Sequence, residues 1–193
     1  NEVKRELSVE YNLELIDINK FTERFLLYSP TDISTLIPDR LHFGDIGHQY
    51  EADLIFSHIS PQVIFVDTDT KIDYSTQKVI NGVNEDKLTY STIDQYGFKL
   101  YAKYLKSDGL DTKIMETWVF INSKDEMSLK SYVSCYLNTY IKINGGVYKS
   151  ESLETILSTL SLGLYHLEVF SGSTNNVDHV DCVDFKGFHI KSK

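Results

Sequence analysis

Tyr132-Val133-Ser134-Cys135-Tyr136-Leu137-Asn138-Thr139-Tyr140-Ile141-Lys142-Ile143-Asn144-Gly145 is the stretch on which the reading of the fold turns. Val133, Cys135, Leu137, Ile141 and Ile143 share one parity, while Tyr132, Tyr136 and Tyr140 fall on the other. That is the period-two pattern of a strand whose two faces meet different surroundings. Asn144-Gly145 follows at once. Both central positions of a two-residue hairpin turn need positive φ, which Asn and Gly adopt at least cost, so a hairpin is predicted here.

Similar signals spread outward from this hairpin. Gly163 to Val169 reads as a strand with Tyr165, Leu167 and Val169 on one face, and a last strand is expected near Val180 to Ile190. Upstream, Ile114 to Ile121 surrounds Trp118, the sole tryptophan, with β-formers and reads as a central strand. Phe98, Leu100, Ala102 and Tyr104 alternate with Lys99, Tyr101 and Lys103. Lys87 to Thr92 and Val63 to Val66 add two more strands. Asn81-Gly82 is a further turn signal.

At the N-terminus, Leu7, Val9, Tyr11, Leu13 and Leu15 alternate with Ser8, Glu10, Asn12 and Glu14, which predicts a half-buried strand over 3–15. Phe21 to Tyr28 and Glu51 to Ile59 are read as further strands. Two short helices are expected. One spans Thr31 to Ile37 and is led by Ser29-Pro30; the other is capped by Ser152, with Leu153, Ile156, Leu157 and Leu160 at helical spacing. The predicted fold class is therefore all-β, mainly antiparallel: a β-sandwich or jelly-roll-like domain with one or two short helices. It fills residues 1–193 as a single domain, with the strand at 3–15 available for exchange with a neighbouring subunit.

Composition narrows the function classes. Of the 193 residues, 41% are hydrophobic and 12% aromatic, enough for a substantial core. The net charge of -9 repels phosphate backbones and anionic lipid, so nucleic acid is not an expected partner. Arg5, Arg24 and Arg40 all lie early, which leaves later positions without guanidinium chemistry. No run approaches the roughly 20 apolar residues of a spanning helix, so no membrane insertion is expected. The chain opens at Asn1 rather than Met, read here as the mark of a removed leader and hence of a secreted or cell-surface protein. In that setting Cys135 and Cys182 are candidates for one disulfide; two buried thiols are the alternative.

Asp67, Asp69 and Asp73 alternate in a loop as calcium ligands do, but Lys71 and Ile72 break the EF-hand template. A solvated loop is the competing reading, and no other cofactor is expected. Asp178 to Asp184 gathers carboxylates, His179 and Cys182, yet strand alternation sends His179 and Cys182 to opposite faces, which disfavours zinc. Nucleophile-elbow and phosphate-loop motifs are absent, and His42, His48, His58 and His166 are scattered. No enzyme activity is expected. Tyr132, Tyr136 and Tyr140 offer large amphipathic contact area for a partner, or alternatively form a cross-strand ladder within the sheet.

Two family resemblances follow from particular residues. Tyr96-Gly97-Phe98, Ser107-Asp108-Gly109, Trp118 to Asn122 and Gly163 to Val169 occur in an order that resembles PA14-type adhesion domains, over less than half of the chain and without the paired aspartates of the calcium-binding members. The alternating N-terminal strand and the late Gly163-Leu164-Tyr165 strand are similar to chaperone-usher pilins. The first resemblance implies adhesion; the second implies assembly by strand donation. The expected function is non-enzymatic binding or adhesion outside the cell, toward a protein or carbohydrate partner, through Tyr132, Tyr136 and Tyr140 on an exposed sheet face. The alternative is a structural subunit of a fibre or shell that self-associates through Leu7, Val9, Tyr11, Leu13 and Leu15.

Overall fold

A computed structural model describes residues 2–29, 31–76, 78, 80–81, 88–90, 100–106, 112–124, 126–132, 139–149, 160–171 and 181–191. Among these residues helices come first and strands follow. The helices are α1 (Glu2–Glu10), α2 (Ile18–Tyr28), α3 (Ile33–Leu36) and α4 (Asp45–Ile59). The strands are β1 (Val63–Val66), β2 (Thr70–Ile72), β3 (Ile80–Asn81), β4 (Leu88–Tyr90), β5 (Leu100–Lys106), β6 (Thr112–Ile121), β7 (Glu126–Tyr132), β8 (Thr139–Ile143), β9 (Gly146–Lys149), β10 (Gly163–Ser171) and β11 (Asp181–Lys191). The protein is rich in sheet, but its helical first third departs from an all-β plan.

Three predicted strands are helices, each for a local reason. Over 3–15, Leu7 and Val9 lie on α1, and Tyr11, Leu13 and Leu15 lie in the turn and connection that follow. Alternation makes a strand only where a neighbouring strand accepts its backbone groups; α1 satisfies them within its own turns. Over Phe21 to Tyr28, the apolar residues Ile18, Phe21 and Phe25 also fit helical spacing. Asp17 caps this helix, its carboxylate accepting from the Lys20 N–H at 3.1 Å. Over Glu51 to Ile59, the buried positions Gly47, Tyr50, Leu54 and Ser57 recur at intervals of three and four on α4. In α3, Asp32 rather than Ser29 is the N-cap, and Ser29 instead closes α2.

The strands form two sheets with no closed barrel among the described residues, the first mixing parallel and antiparallel pairs and the second pairing antiparallel throughout. In the first, β1, β6, β10, β8 and β9 lie side by side, and β3 pairs with β6. The β1–β6 pair is parallel, with Phe65 opposite Phe120. β10 runs antiparallel to both β6 and β8. In the second sheet β7 lines one edge of β11 along Asp184–Lys191, so β5 and β2 share its other edge. The pairing register of β11 with β7 shifts between Phe185 and Gly187. Gly187 has φ +132, and a Cβ there would stand 2.2 Å from the Ile72 carbonyl oxygen.

Alternation along β6 sorts the core. Met115, Thr117, Val119 and Ile121 are buried on one face with Leu167 and Val169 of β10 and Ile141 and Ile143 of β8. They join the cluster that holds Ile72, Phe185, Phe188 and Ile190 of the second sheet. The other face of the first sheet receives α2 and α4. Phe65 stacks on Phe120 at 5.7 Å, Phe21 meets Phe65 at 4.9 Å, and Tyr50 lies between Phe25 and Phe120. A buried polar knot ties this corner. Asn122 accepts from the Tyr50 hydroxyl at 3.1 Å and donates to Asp67 at 3.0 Å, and Arg24 Nε lies 3.2 Å from the same carboxylate.

Candidate functional site

The helix-bearing face of the first sheet continues past Phe120 into a partly open strip. In-register partners of an antiparallel pair share a face, so β6 contributes Glu116 and Trp118, β10 contributes His166, Glu168 and Phe170, and β8 contributes Tyr140 and Lys142. Two aromatic pairs span neighbouring strands. Trp118 stacks on His166 with centroids 4.3 Å apart and planes 16° apart; Tyr140 stacks on Phe170 at 5.0 Å and 5°. The Lys142 ammonium sits 4.6 Å from the Phe170 ring centre. All of these residues are half-buried, and Val147 of β9, the in-register partner of Lys142, is 62% exposed.

Between the aromatic pairs lies a charge cluster. Glu116 and Glu168 face each other directly across the β6–β10 ladder, a like-charge pairing that opposes sheet formation unless a cation intervenes. Lys113, from the same side of β6, supplies it. The Lys113 ammonium bonds Glu116 and lies 3.5 Å from Glu168. His166 Nε2 is 2.8 Å from the Glu116 carboxylate, and His166 Nδ1 is 3.9 Å from that of Glu168. The hydrogen bond from Lys113 holds the Glu116 carboxyl below its ordinary range against the opposing push of burial, and the same bond raises Lys113. Among the described residues, Glu116, His166 and Glu168 form the one grouping of three or more His, Cys, Asp or Glu side chains whose ligand atoms all lie within 4.8 Å of one another.

The residues singled out from sequence are distributed differently. Tyr132 ends β7 in the second sheet, whereas Tyr140 lies on β8 in the first, so the presumed single strand from Tyr132 to Ile143 is two strands in two sheets. Tyr136 and Cys135 lie outside the described residues, as does 151–159 of the helix expected from Ser152. Cys182 pairs in register with Leu105 on β5. The Asn144-Gly145 hairpin forms as predicted between β8 and β9, with φ 49 and 84. Asp67, Asp69 and Asp73 turn to separate partners. Asp67 meets Arg24 and Asn122, Asp69 lies 2.7 Å from His189 Nε2, and Asp73 accepts from the Ser75 N–H.

Sequence reasoning passed over Lys113, Glu116, His166 and Glu168 as a group because 50 residues separate Glu116 from His166. The available signal was local: His166-x-Glu168 and Glu116-x-Trp118 each place two polar or aromatic side chains on one face of a strand otherwise rich in β-formers. Comparison of the chain with protein families, curated proteins and solved structures finds no match. Among the described residues, no helix is long and apolar enough to cross a membrane.

Proposed function

We propose that the protein is a non-enzymatic binding or adhesion module that takes a protein or carbohydrate partner on the open strip of its first sheet. The observation that carries this reading is the pair of cross-strand aromatic stacks, Trp118–His166 and Tyr140–Phe170, set beside charged groups on a half-buried face. Such a surface combines rigid amphipathic contact area with directional hydrogen-bonding groups, the mixture that binding surfaces favour. Of the three tyrosines, Tyr140 belongs to this strip. A sandwich arrangement of the two sheets around their shared core and an extracellular setting are parts of the same proposal. The test is a glycan and extracellular-protein array probed with the wild type and a Trp118→Ala/Tyr140→Ser/Phe170→Ser variant. Retained partner binding in a folded variant would sink the reading.

A second reading, a self-associating structural subunit, draws on the N-terminal segment. Val3, Val9, Tyr11 and Leu13 are all more than half exposed, and Leu7 and Leu15 are partly so, while α1 buries no residue. Single exposed apolar residues are ordinary, but a run of them along one segment is the kind of patch that marks contact sites. In this form assembly works through a helix and the connection that follows it rather than a donated strand. Light scattering of the full chain and of a chain lacking residues 1–15 tests it. Larger species that vanish on truncation support the reading, and monomers in both overturn it.

A further inference from the structure

We propose that Glu116, His166 and Glu168 form a binding site for a divalent transition cation, with zinc as the type, for which the Lys113 ammonium is a resident competitor. The donor set is one imidazole nitrogen and two carboxylates, the chemistry of three-ligand zinc sites that leave a fourth position to water. The scaffold is rigid. Glu116 and Glu168 face each other in register on two paired strands, and His166 lies two residues along β10 on the same face. The ligand atoms lie within 4.8 Å of one another. Donors on one tetrahedral zinc sit roughly 3.3 Å apart, given bonds of about 2.0–2.1 Å, so modest side-chain rotation closes the set.

The same cluster already holds a cation. Two carboxylates directly opposed across a ladder repel each other, and the structure meets that repulsion with a positive group already lodged between them. That group is a side chain on a flexible stem, 36% exposed, able to swing out to water. With Lys113 withdrawn, the two carboxylates together carry a charge of minus two, which a divalent ion cancels and a single ammonium does not. The Trp118 ring holds the His166 ring parallel to itself, so the imidazole is oriented before any ion arrives. The inference does not rest on the binding reading above, because it requires no partner and its test uses the ion alone.

Trp118 also provides the readout. It is the sole tryptophan and stacks on the proposed ligand, so Co2+ bound at His166 should quench its fluorescence, whereas Zn2+ should displace Co2+ and restore it. The expected result for the full chain near pH 7.5 is saturable quenching at micromolar to submillimolar Co2+, reversed by Zn2+. Apparent affinity should tighten about tenfold in Lys113→Met, weaken at least about tenfold in Glu168→Gln, and be lost in His166→Ala; far-UV circular dichroism checks each fold. Calorimetry with Zn2+ should give one site with the same ranking. Absence of quenching in the wild type overturns the proposal, even if Lys113→Met binds. So does quenching that survives unchanged in both Glu168→Gln and His166→Ala. Should His166→Ala misfold, Glu168→Gln and Lys113→Met decide alone, through their opposite expected shifts.

Discussion

One face of the first sheet meets two different surroundings within a few residues. At the β1 end, Phe120 is fully buried beneath Phe65, Tyr50 of α4 and the helix α2 that carries Phe21 and Phe25. Two and four residues back along the same strand, Trp118 and Glu116 are only half-buried, beside His166, Glu168, Phe170 and Lys142. Composition follows this division. The covered end holds phenylalanines and one tied polar knot, while the open end mixes aromatics with paired charges, each of which has a partner within the cluster. The covered end keeps its one ion pair inside a hydrogen-bonded knot, whereas the open end leaves its charges half exposed. The helices therefore both complete the core and define where the open strip begins.

The sharpest way to break this contrast is truncation at its two ends. Phe120→Ala should cost about 3–5 kcal/mol by removing a fully buried aromatic ring, whereas Phe170→Ala at the open end should cost about 1–2 kcal/mol. Urea denaturation of both variants measures the difference, and equal losses would mean that the open strip is core. A smaller effect is expected at the polar knot. Asn122→Ala withdraws the acceptor from the Tyr50 hydroxyl and a donor from Asp67, and should cost about 2–3 kcal/mol. Burial pushes the Tyr50 phenol upward in pKa, so the hydroxyl stays protonated and donating throughout this measurement.

The smallest effect belongs to the charge cluster. Glu116 is held below its ordinary value of 4.5, chiefly by Lys113, so its contribution to stability is present above that value and is lost as pH falls through the lower folded-state value. Lys113→Met should lower stability at neutral pH by a few tenths to about 1 kcal/mol, the scale of partly exposed ion pairs. The variant should also lose less stability than the wild type between pH 6 and the acid limb, because the depression of Glu116 is relieved. Denaturation curves at neutral and acid pH compare the two proteins. Identical acid sensitivity would mean that Lys113 does not govern the Glu116 titration.

The sheet portion was largely legible in the residues. Val63 to Val66, Ile114 to Ile121, Gly163 to Val169 and the Asn144-Gly145 turn carry enough β-branched residues, or enough positive-φ chemistry, for local rules to locate them. The helical third was not. In Phe21 to Tyr28 and in Glu51 to Ile59 the apolar residues satisfy periods near two and near 3.6 over short windows, and packing against Phe65 and Phe120, with the Asp17 cap on α2, selects the second. Gly47 is a related case. It looks like a loop marker in sequence, but a Cβ there would stand 2.3 Å from the Leu36 carbonyl oxygen, so its role is to let α3 and α4 meet. The candidate site was illegible for a further reason: Glu116 and His166 become neighbours only through the β6–β10 ladder.

The sequence by itself determined an acidic chain with a substantial core, its main strands and one hairpin turn, because alternation, β-branching and positive-φ residues act within a few positions of one another. Only the tertiary structure decided that the first third is helical, that Tyr132 and Tyr140 belong to different sheets, and that Lys113, Glu116, His166 and Glu168 converge. Those outcomes depend on which surface is buried against which, and on strand register between segments distant along the chain. Both are set by the packing of the whole molecule rather than by any local run of residues.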